Sequence, residues 1–306
     1  MQKNHPTRSR ERLFEAALRQ DLSSFTRKTF HTVDPGAEYL SNWHIDCMSE
    51  HLMAAANGEI RQLIINIPPR MMKSISVGVA WPAFLLGHDP TRKIMAASYA
   101  KELSLKHSQD CRLVVESEWY RRIFPEVVIA DDQNTKSKFL TTQRGFRFAT
   151  SVGGSSTGEG GDVLIVDDPL KPIEAASQVQ RDGANTWFDQ TFSSRLNNKK
   201  TGVIVVVMQR LHENDLSGHL LAKGGWYHLK IPLIAETKVA VRFPISGFDF
   251  YRMPGNLLHE ARMGKEDIEK AKKNMGEYGF AGQYQQTPAP AGGGIFQERW
   301  FLHYAR

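Results

Sequence analysis

The 306-residue chain has only two cysteines and no long apolar run. Cys47 and Cys111 are too few for a disulfide scaffold, which favours a reducing compartment. The most apolar stretch, residues 77–86, is shorter than the ~18 residues of a membrane-spanning helix and contains glycine and proline. The N-terminus is polar and basic, without the apolar segment of a secretory signal. We therefore expect neither secretion nor a membrane partner.

The composition is that of a globular protein with an excess of positive charge. Apolar residues make up 41% of the chain and charged residues 24%, which excludes a disordered chain. The net charge is +6, and residues 1–30 carry seven Lys and Arg against three Asp and Glu. A basic N-terminal arm fits a polyanionic partner such as nucleic acid. The alternative is a solvated helix face that keeps the protein soluble.

Apolar segments typical of buried strands alternate with segments typical of helices. Because these strands lack polar alternation and are separated by helices, we predict an α/β fold, a mainly parallel sheet with helices on both faces. The predicted strands are 63–67, 93–98, 163–166 and 202–208, with a hairpin at 139–149, and the predicted helices are 9–30, 44–56, 73–86, 100–116, 175–192 and 264–276. The predicted units are a basic N-terminal arm and helix (1–35), an α/β core (36–234), a small C-terminal lid subdomain (235–290) and a linker (291–306).

Residues 67–74, IPPRMMKS, lie between an apolar strand and an apolar helix. This is the place of a phosphate-binding loop, whose backbone N–H groups and helix N-terminus surround phosphates. In that interpretation Lys73 contacts the β- and γ-phosphates of ATP, and the Ser74 hydroxyl binds Mg²⁺. The usual G-x-x-x-x-G-K-[ST] pattern is broken, because Ile67 and Met72 stand at the glycine positions. An ordinary strand-to-helix turn is the alternative.

Two further strand ends support the phosphate-loop interpretation. The apolar segment 163–166 is followed directly by Asp167 and Asp168. A strand that ends in carboxylates is the acidic motif of a phosphate-loop ATPase. In this role Asp167 holds Mg²⁺, and Asp168 orients and deprotonates the attacking water. The segment 202–208 runs into Gln209, which is then positioned to sense the γ-phosphate. An acidic turn and a polar strand end are the plain alternatives.

With these motifs the chain resembles the ATPase part of the large terminase subunits of tailed phages, the motors that package DNA into procapsids. The similar stretches, within residues 42–296, are NWHIDCMSEHL, LIINIPPRMMKS, ASYAKELSLKHSQDCR, ATSVGGSSTGEGGDVLIVDDP, VVVMQRLHENDLSGH and YGFAGQYQQTPAPAGGGIF. One branch of that family similarly has a Pro-Pro-Arg loop without a glycine before the lysine. The resemblance implies an ASCE-type P-loop NTPase fold, with ATP and Mg²⁺ as cofactors.

The resemblance also implies partners and a location. The partners are double-stranded DNA, a portal protein, a small terminase subunit and further copies of the chain in a ring. The location is the host cytoplasm, docked at the procapsid portal.

The resemblance implies roles for individual residues. His44, in Trp43-His44, resembles the residue on the adenine side, and Arg70 resembles the loop arginine that reaches the γ-phosphate. Most terminases have glutamate where this chain has Asp168, and Gln209 falls in the motif that couples hydrolysis to movement. The predicted nucleotide-binding residues are His44, Pro69, Arg70, Met71, Met72, Lys73 and Ser74; the predicted catalytic residues are Lys73, Asp168, Arg70 and Gln209; the predicted metal ligands are Ser74 and Asp167.

Two departures from the family pattern stand out. Many terminases carry an arginine about ten residues before the acidic metal ligand, and it acts on the neighbouring subunit; here that position is Thr157. Arg144, Arg147 and Arg195 are the alternative sources of such a trans-acting arginine. A full terminase also continues into a nuclease domain, whereas this sequence stops at the linker, so we expect no nuclease activity from it.

Two other functions remain as alternatives at this stage. One is a helicase-like, nucleic-acid-dependent ATPase built on a related sheet. The other is a degenerate nucleotide-binding module that holds ATP without turnover. The non-glycine residue Met72 and the absence of arginine at position 157 keep the second alternative open.

Overall fold

The computed structural model of the protein describes residues 5–154 and 158–289. Thr157 and the predicted linker 291–306 lie outside these described residues. The strands are β1 Gln62–Asn66, β2 Lys93–Ser98, β3 Ile129–Asn134, β4 Lys138–Thr141, β5 Phe146–Ser151, β6 Val163–Asp167, β7 Val203–Met208, β8 Tyr227–Lys230, β9 Val239–Arg242 and β10 Asp249–Arg252.

The first eight strands form one sheet in the order β3-β4-β5-β2-β6-β7-β1-β8. The six strands from β5 to β8 in this order are parallel to one another, whereas β3 and β4 pair antiparallel at one end. The predicted α/β class with a mainly parallel sheet is confirmed. The predicted hairpin at 139–149 is also present, as β4 and β5.

The α-helices are α1 His5–Gln20, α2 Leu22–Val33, α3 Trp43–Ala56, α4 Trp81–His88, α5 Lys101–Glu116, α6 Glu118–Ile123, α7 Gln178–Trp187, α8 Leu216–Lys223 and α9 Lys265–Gln283. The single helix predicted over 9–30 is two helices, because the Asp21 carboxylate accepts the N–H groups of Ser23 and Ser24 and caps α2. Among the described residues, none of the helices combines the length and apolar character needed to span a bilayer.

Successive residues of the central strands enter two different cores. Leu63 and Ile65 of β1 belong to the core that includes Phe84 of α4, whereas Ile64 packs with Trp187 and other residues on the opposite face. All three β1 side chains are fully buried. Burial on both faces is the reason that these strands lack the polar alternation of a half-exposed sheet.

Residues 235–289, called the C-terminal segment below, form the β9–β10 hairpin and α9. The hairpin lies on α3: the rings of Trp43 and Phe250 stack at 4.4 Å, and Glu50 accepts the N–H groups of Ile245 and Ser246 at 2.9 Å. No strands were predicted in this part of the chain. The segment contains a regular hairpin, and it is attached directly to the core.

Candidate active site

The predicted site residues meet at the carboxyl ends of the parallel strands. In register, Asn66 at the end of β1 is opposite Met208 of β7, and Asp167 of β6 is opposite Val207. Loop 67–74 continues from β1, Asp168 follows β6, and Gln209 follows β7. Ligands of open parallel sheets bind at this edge of the sheet.

The loop adopts a left-handed backbone conformation without glycine. Arg70 has φ 63° and Met72 has φ 65°, immediately before Lys73. Such conformations cost about 1–3 kcal/mol each in a non-glycine residue and concentrate at functional sites. Met72 therefore takes up the backbone conformation for which a glycine is normally used, so its presence does not disrupt the loop.

Lys73 and Asp168 are in direct contact across the site. Lys73 Nζ lies 2.8 Å from Asp168 Oδ2, and the Lys73 side chain is buried. Asp168 itself has φ 47° and is held on both sides, since its N–H donates to Val207 and its carbonyl accepts the Tyr99 N–H. Its Oδ1 accepts the Gln209 N–H at 3.3 Å. The carboxylate is thus fixed between the phosphate loop and the end of β7.

Asp167 lies deeper and is almost completely buried, with 2% of its surface exposed. Burial and the neighbouring Asp168 carboxylate raise the pKa of Asp167 to about 7, while Lys73, the Ser74 hydroxyl and Arg147 lower it. A carboxylate in this setting is stabilised in its charged form by an added cation. Asp167 therefore has the electrostatic environment of a cation ligand.

The oxygen atoms near Asp167 also fit Mg²⁺. The Asp167 carboxylate makes a weak contact with the Ser74 hydroxyl, and its Oδ2 lies 3.5 Å from His107 Nδ1. Its oxygens have no other hydrogen-bond partner among the described residues. A buried carboxylate with free lone pairs beside a hydroxyl is a suitable partial ligand set, because Mg²⁺ prefers oxygen and completes its shell with water and phosphate. Ser74 and Asp167 remain the predicted metal ligands.

His107 is a site residue that the sequence did not reveal. It belongs to none of the predicted motifs, yet it is buried on α5 and lines the cleft described below. Burial, and then the charges of Arg147, Lys106 and Lys73, lower the pKa of His107 to about 3, so the ring is neutral. His107 lies on α5, the helix that follows β2, and its ring faces the end of β6. This position in the predicted strand–helix order could have identified it as a site residue.

Arg147 cannot serve as a trans-acting arginine, and this prediction is wrong. It is 1% exposed on β5, and its Nη2 donates to the Gly78 carbonyl at 3.0 Å. This bond ties the β5 side chain to the helical segment that follows the phosphate loop. The alternation of β5 turns this side chain into the core.

Arg144 and Arg195 lie at the other edge of the sheet. Arg144 is exposed in the turn before β5, and Arg195 is partly exposed, with its carbonyl bonded to the N–H of Gly161 just before β6. Both positions are at the amino ends of the strands, away from the phosphate loop of the same chain. Neither residue therefore belongs to the site of its own chain.

An open cleft of about 880 Å³ lies over the phosphate loop. It is lined by the loop, by α2 and the residues after it, by α5, and by the C-terminal segment through Arg262. The predicted site residues in this lining are Pro69, Arg70, Met72, Lys73, Ser74, Asp168 and Gln209. The lining also includes the apolar residues Phe30, Val33 and Ala37 and the basic residue Arg262, which were not predicted because none belongs to a recognisable motif.

His44 and Met71 occupy a position behind the loop rather than in the cleft. Both are buried, and neither belongs to the cleft lining. Burial and the nearby ring of His259 lower the pKa of His44 to about 3, whereas the Met71 backbone raises it. The predicted contact between His44 and adenine does not fit this burial; the ring packs against the inner side of the loop.

Gln209 is linked by contacts to the end of α9. It is buried in the cleft lining, and its Oε1 has no hydrogen-bond partner in the described part of the chain. The next N–H, of Arg210, donates to Gln286 Oε1 at 2.9 Å. Gly282 of α9 packs so closely that an added Cβ would lie 3.1 Å from the Arg210 carbonyl oxygen. The site and the C-terminal segment are thus joined at this point.

Comparison with solved structures places this architecture among known folds. A variant of the ATPase domain of the Thermus phage P74-26 large terminase matches with a TM-score of 0.52 and 11% identity, covering 85% of this chain and 97% of that domain. The chain has the fold of a phage large terminase ATPase domain. The predicted P-loop NTPase fold, and the fold expected from the terminase resemblance, are confirmed.

Longer terminase structures also match, but over part of their length. The HK97 large terminase has a TM-score of 0.44 at 12% identity, over 68% of this chain and 44% of that one. The large terminase of a thermophilic bacteriophage, solved in complex with ADP, has a TM-score of 0.47 at 9% identity, over 80% and 52%. This chain spans about half the length of these terminases. No family model matches it, and no curated protein matches it in sequence.

Proposed function

We propose that the chain is the ATP-hydrolysing subunit of a phage DNA-packaging motor. The observation that carries the proposal is the contact between Lys73 of the loop and Asp168 of the acidic strand end, beside the buried Asp167. In this arrangement Lys73 can bind phosphates, Asp168 can orient a water molecule and Asp167 can bind a metal ion. All three lie at the same edge of the sheet, where the parallel strands end. The terminase ATPase fold supports the same proposal.

In the proposed mechanism the phosphates of ATP compete with Asp168 for the Lys73 ammonium group. Once Lys73 is bound to phosphate, the Asp168 carboxylate is free to orient the attacking water and accept its proton. Arg70, exposed at the start of the left-handed turn, neutralises charge on the γ-phosphate. Ser74 and Asp167 would hold Mg²⁺, which would offset the negative charge of the phosphates.

The proposed motor acts on double-stranded DNA. In this role the chain assembles into a ring at the portal of a procapsid in the host cytoplasm, together with a small terminase subunit. Arg10, Arg12, Lys270 and Lys273 are exposed and available for phosphate contacts, whereas Lys272 is partly buried beside Glu269. Arg8 belongs to the same basic arm, but its side chain lies outside the described residues.

The test is steady-state phosphate release with double-stranded DNA added at several salt concentrations. We expect DNA to stimulate turnover, and the stimulation to fall steeply with salt because DNA affinity depends on counterion release. Replacing both Lys270 and Lys273 by alanine is expected to weaken DNA binding and lower the salt slope by ~2. The double replacement of Lys199 and Lys200, exposed at the amino ends of the strands, is the control.

Three results would contradict this function. ATP binding without any turnover would favour the nucleotide-binding module. Turnover stimulated only by single strands, together with strand separation, would favour the helicase-like ATPase. A strong preference for one short DNA sequence would also count against a motor that must pass every sequence.

We further expect an arginine in trans to raise turnover when subunits assemble. Such an arginine is worth about 10³–10⁵ in rate, because it neutralises charge that develops in the transition state. Lys73→Ala subunits keep their arginines, and Arg144→Ala or Arg195→Ala subunits keep Lys73. Mixing the two kinds of subunit should restore activity only if the replaced arginine is the one that acts in trans. Turnover independent of protein concentration, with no restoration in either mixture, would show that neither arginine acts in trans.

A further inference from the structure

One cationic side chain of the cleft comes from the C-terminal segment. Arg262 lines the same cleft as Arg70 and Lys73, although it lies nearly 190 residues further along the chain. Its chain position is fixed to the core just before it, since Asn42 Nδ2 donates to the Leu258 carbonyl at 2.5 Å. His259 is bonded to the Leu40 carbonyl at 3.3 Å. Arg262 is therefore held at the cleft rather than resting there loosely.

The Arg262 guanidinium has no ion-pair partner in the described part of the chain. The cleft contains four Lys and Arg residues, of which Lys73 is paired with Asp168 and Lys106 with Asp110. Arg262 forms no ion pair among the described residues, and its Nε is buried without a hydrogen-bond partner there. A buried, unpaired donor is costly unless something else satisfies it. A guanidinium is suited to two parallel hydrogen bonds with a phosphate or carboxylate.

We propose that Arg262 is a phosphate-binding residue of the nucleotide site, acting in cis from the C-terminal segment. The inference rests on the proposed function and adds to it a residue that no motif of the loop or acidic strand contains. Phosphate held between Arg262 and Lys73 connects the core to the segment that carries α9. Because the end of α9 also packs on Arg210, beside Gln209, the C-terminal segment would be linked to the site through Arg262 directly and through the end of β7 indirectly.

The test measures equilibrium binding of inorganic tripolyphosphate and of ATP, each with Mg²⁺, to the full chain. Arg262→Gln is expected to weaken both by about 10- to 100-fold, the size of one or two charge-assisted hydrogen bonds. Arg262→Lys keeps the charge but not the planar fork, so an intermediate loss is expected. Arg242→Gln is the matched control, because Arg242 is exposed on the same segment and paired with Asp249.

The outcomes separate this inference from the proposed function. If tripolyphosphate binds the wild type but binds folded Arg262→Gln equally well, the inference is overturned and the loop assignment stands. A loss for ATP alone would place Arg262 at the ribose or base and also overturn it. If Arg262→Gln does not fold, Arg262→Lys decides: weaker binding supports the inference, and wild-type affinity refutes it. Absence of tripolyphosphate binding to the wild type, or full binding to Lys73→Ala, would overturn the proposed function as well.

Discussion

Lys73→Ala is expected to reduce ATP turnover to background, a loss of at least about 10²–10³-fold. The variant removes the buried ammonium group of the phosphate loop, which lies 2.8 Å from Asp168 Oδ2. We expect Mg·ATP affinity to fall by about 10- to 100-fold, since charge-assisted hydrogen bonds are lost. Steady-state phosphate release and equilibrium binding measure the two effects.

Lys106→Ala is the matched control for this variant. Lys106 lies in the same cleft, but it is exposed and paired with Asp110, so its loss is expected to change turnover only slightly. Near-normal hydrolysis by a folded Lys73→Ala protein would refute the phosphate-loop assignment. An equal loss in both variants would mean that overall cleft charge, rather than Lys73, determines binding.

Asp168→Asn is expected to keep nucleotide binding and lose hydrolysis by about 10²–10⁴-fold, the usual size of general-base catalysis. The amide preserves the shape of the side chain, and asparagine tolerates the left-handed conformation at φ 47°. Because the variant no longer ties Lys73 in an ion pair, its affinity for ATP is expected to equal or exceed that of the wild type. Binding and turnover measured on the same preparation test both parts.

Asp167→Asn is the informative partner of that variant. It is expected to weaken Mg²⁺-dependent nucleotide binding, because a buried carboxylate with free oxygen atoms is lost as a metal ligand. The asparagine side chain is not expected to change the nucleotide affinity that is measured without Mg²⁺. If Asp168→Asn lost metal-dependent binding and Asp167→Asn retained it, the roles given to the two carboxylates would be reversed.

The strand pattern was sufficient to predict the sheet and the position of the site. Fully apolar strands such as 203–208 require a sheet that is covered on both faces, and parallel strands bring their carboxyl ends to one edge. Lys73, Asp168 and Gln209 each follow such a strand, so their meeting could be predicted. The β9–β10 hairpin could not, because its half-exposed residues follow no apolar period.

The features of the site that the sequence could not predict depend on contacts between distant parts of the chain. The burial of Arg147 depends on its partner, the Gly78 carbonyl, and Arg262 enters the cleft through the fold of the C-terminal segment. His44 follows a motif, but its helix places it behind the loop. Neither local spacing nor composition records these positions.

Backbone geometry accounts for both unusual residues of the motifs. Met72 stands where the usual pattern has a glycine, and it adopts φ 65°. The loop backbone therefore keeps its conformation at the cost of strain at Met72. Asp168 replaces the glutamate of most terminases at a residue with φ 47°, a conformation in which aspartate is enriched. Its shorter side chain nevertheless reaches Lys73. These departures are compatible with an active site.

The most direct test of the central claim follows a single turnover of bound ATP. The chain is mixed in excess with radiolabelled Mg·ATP, quenched over time and analysed for ADP, with Asp168→Asn as the chemical blank. We predict that the wild type converts its bound ATP to ADP, whereas Asp168→Asn binds ATP and returns it intact. Recovery of intact ATP from both proteins would contradict hydrolysis at this site and leave a nucleotide-binding module.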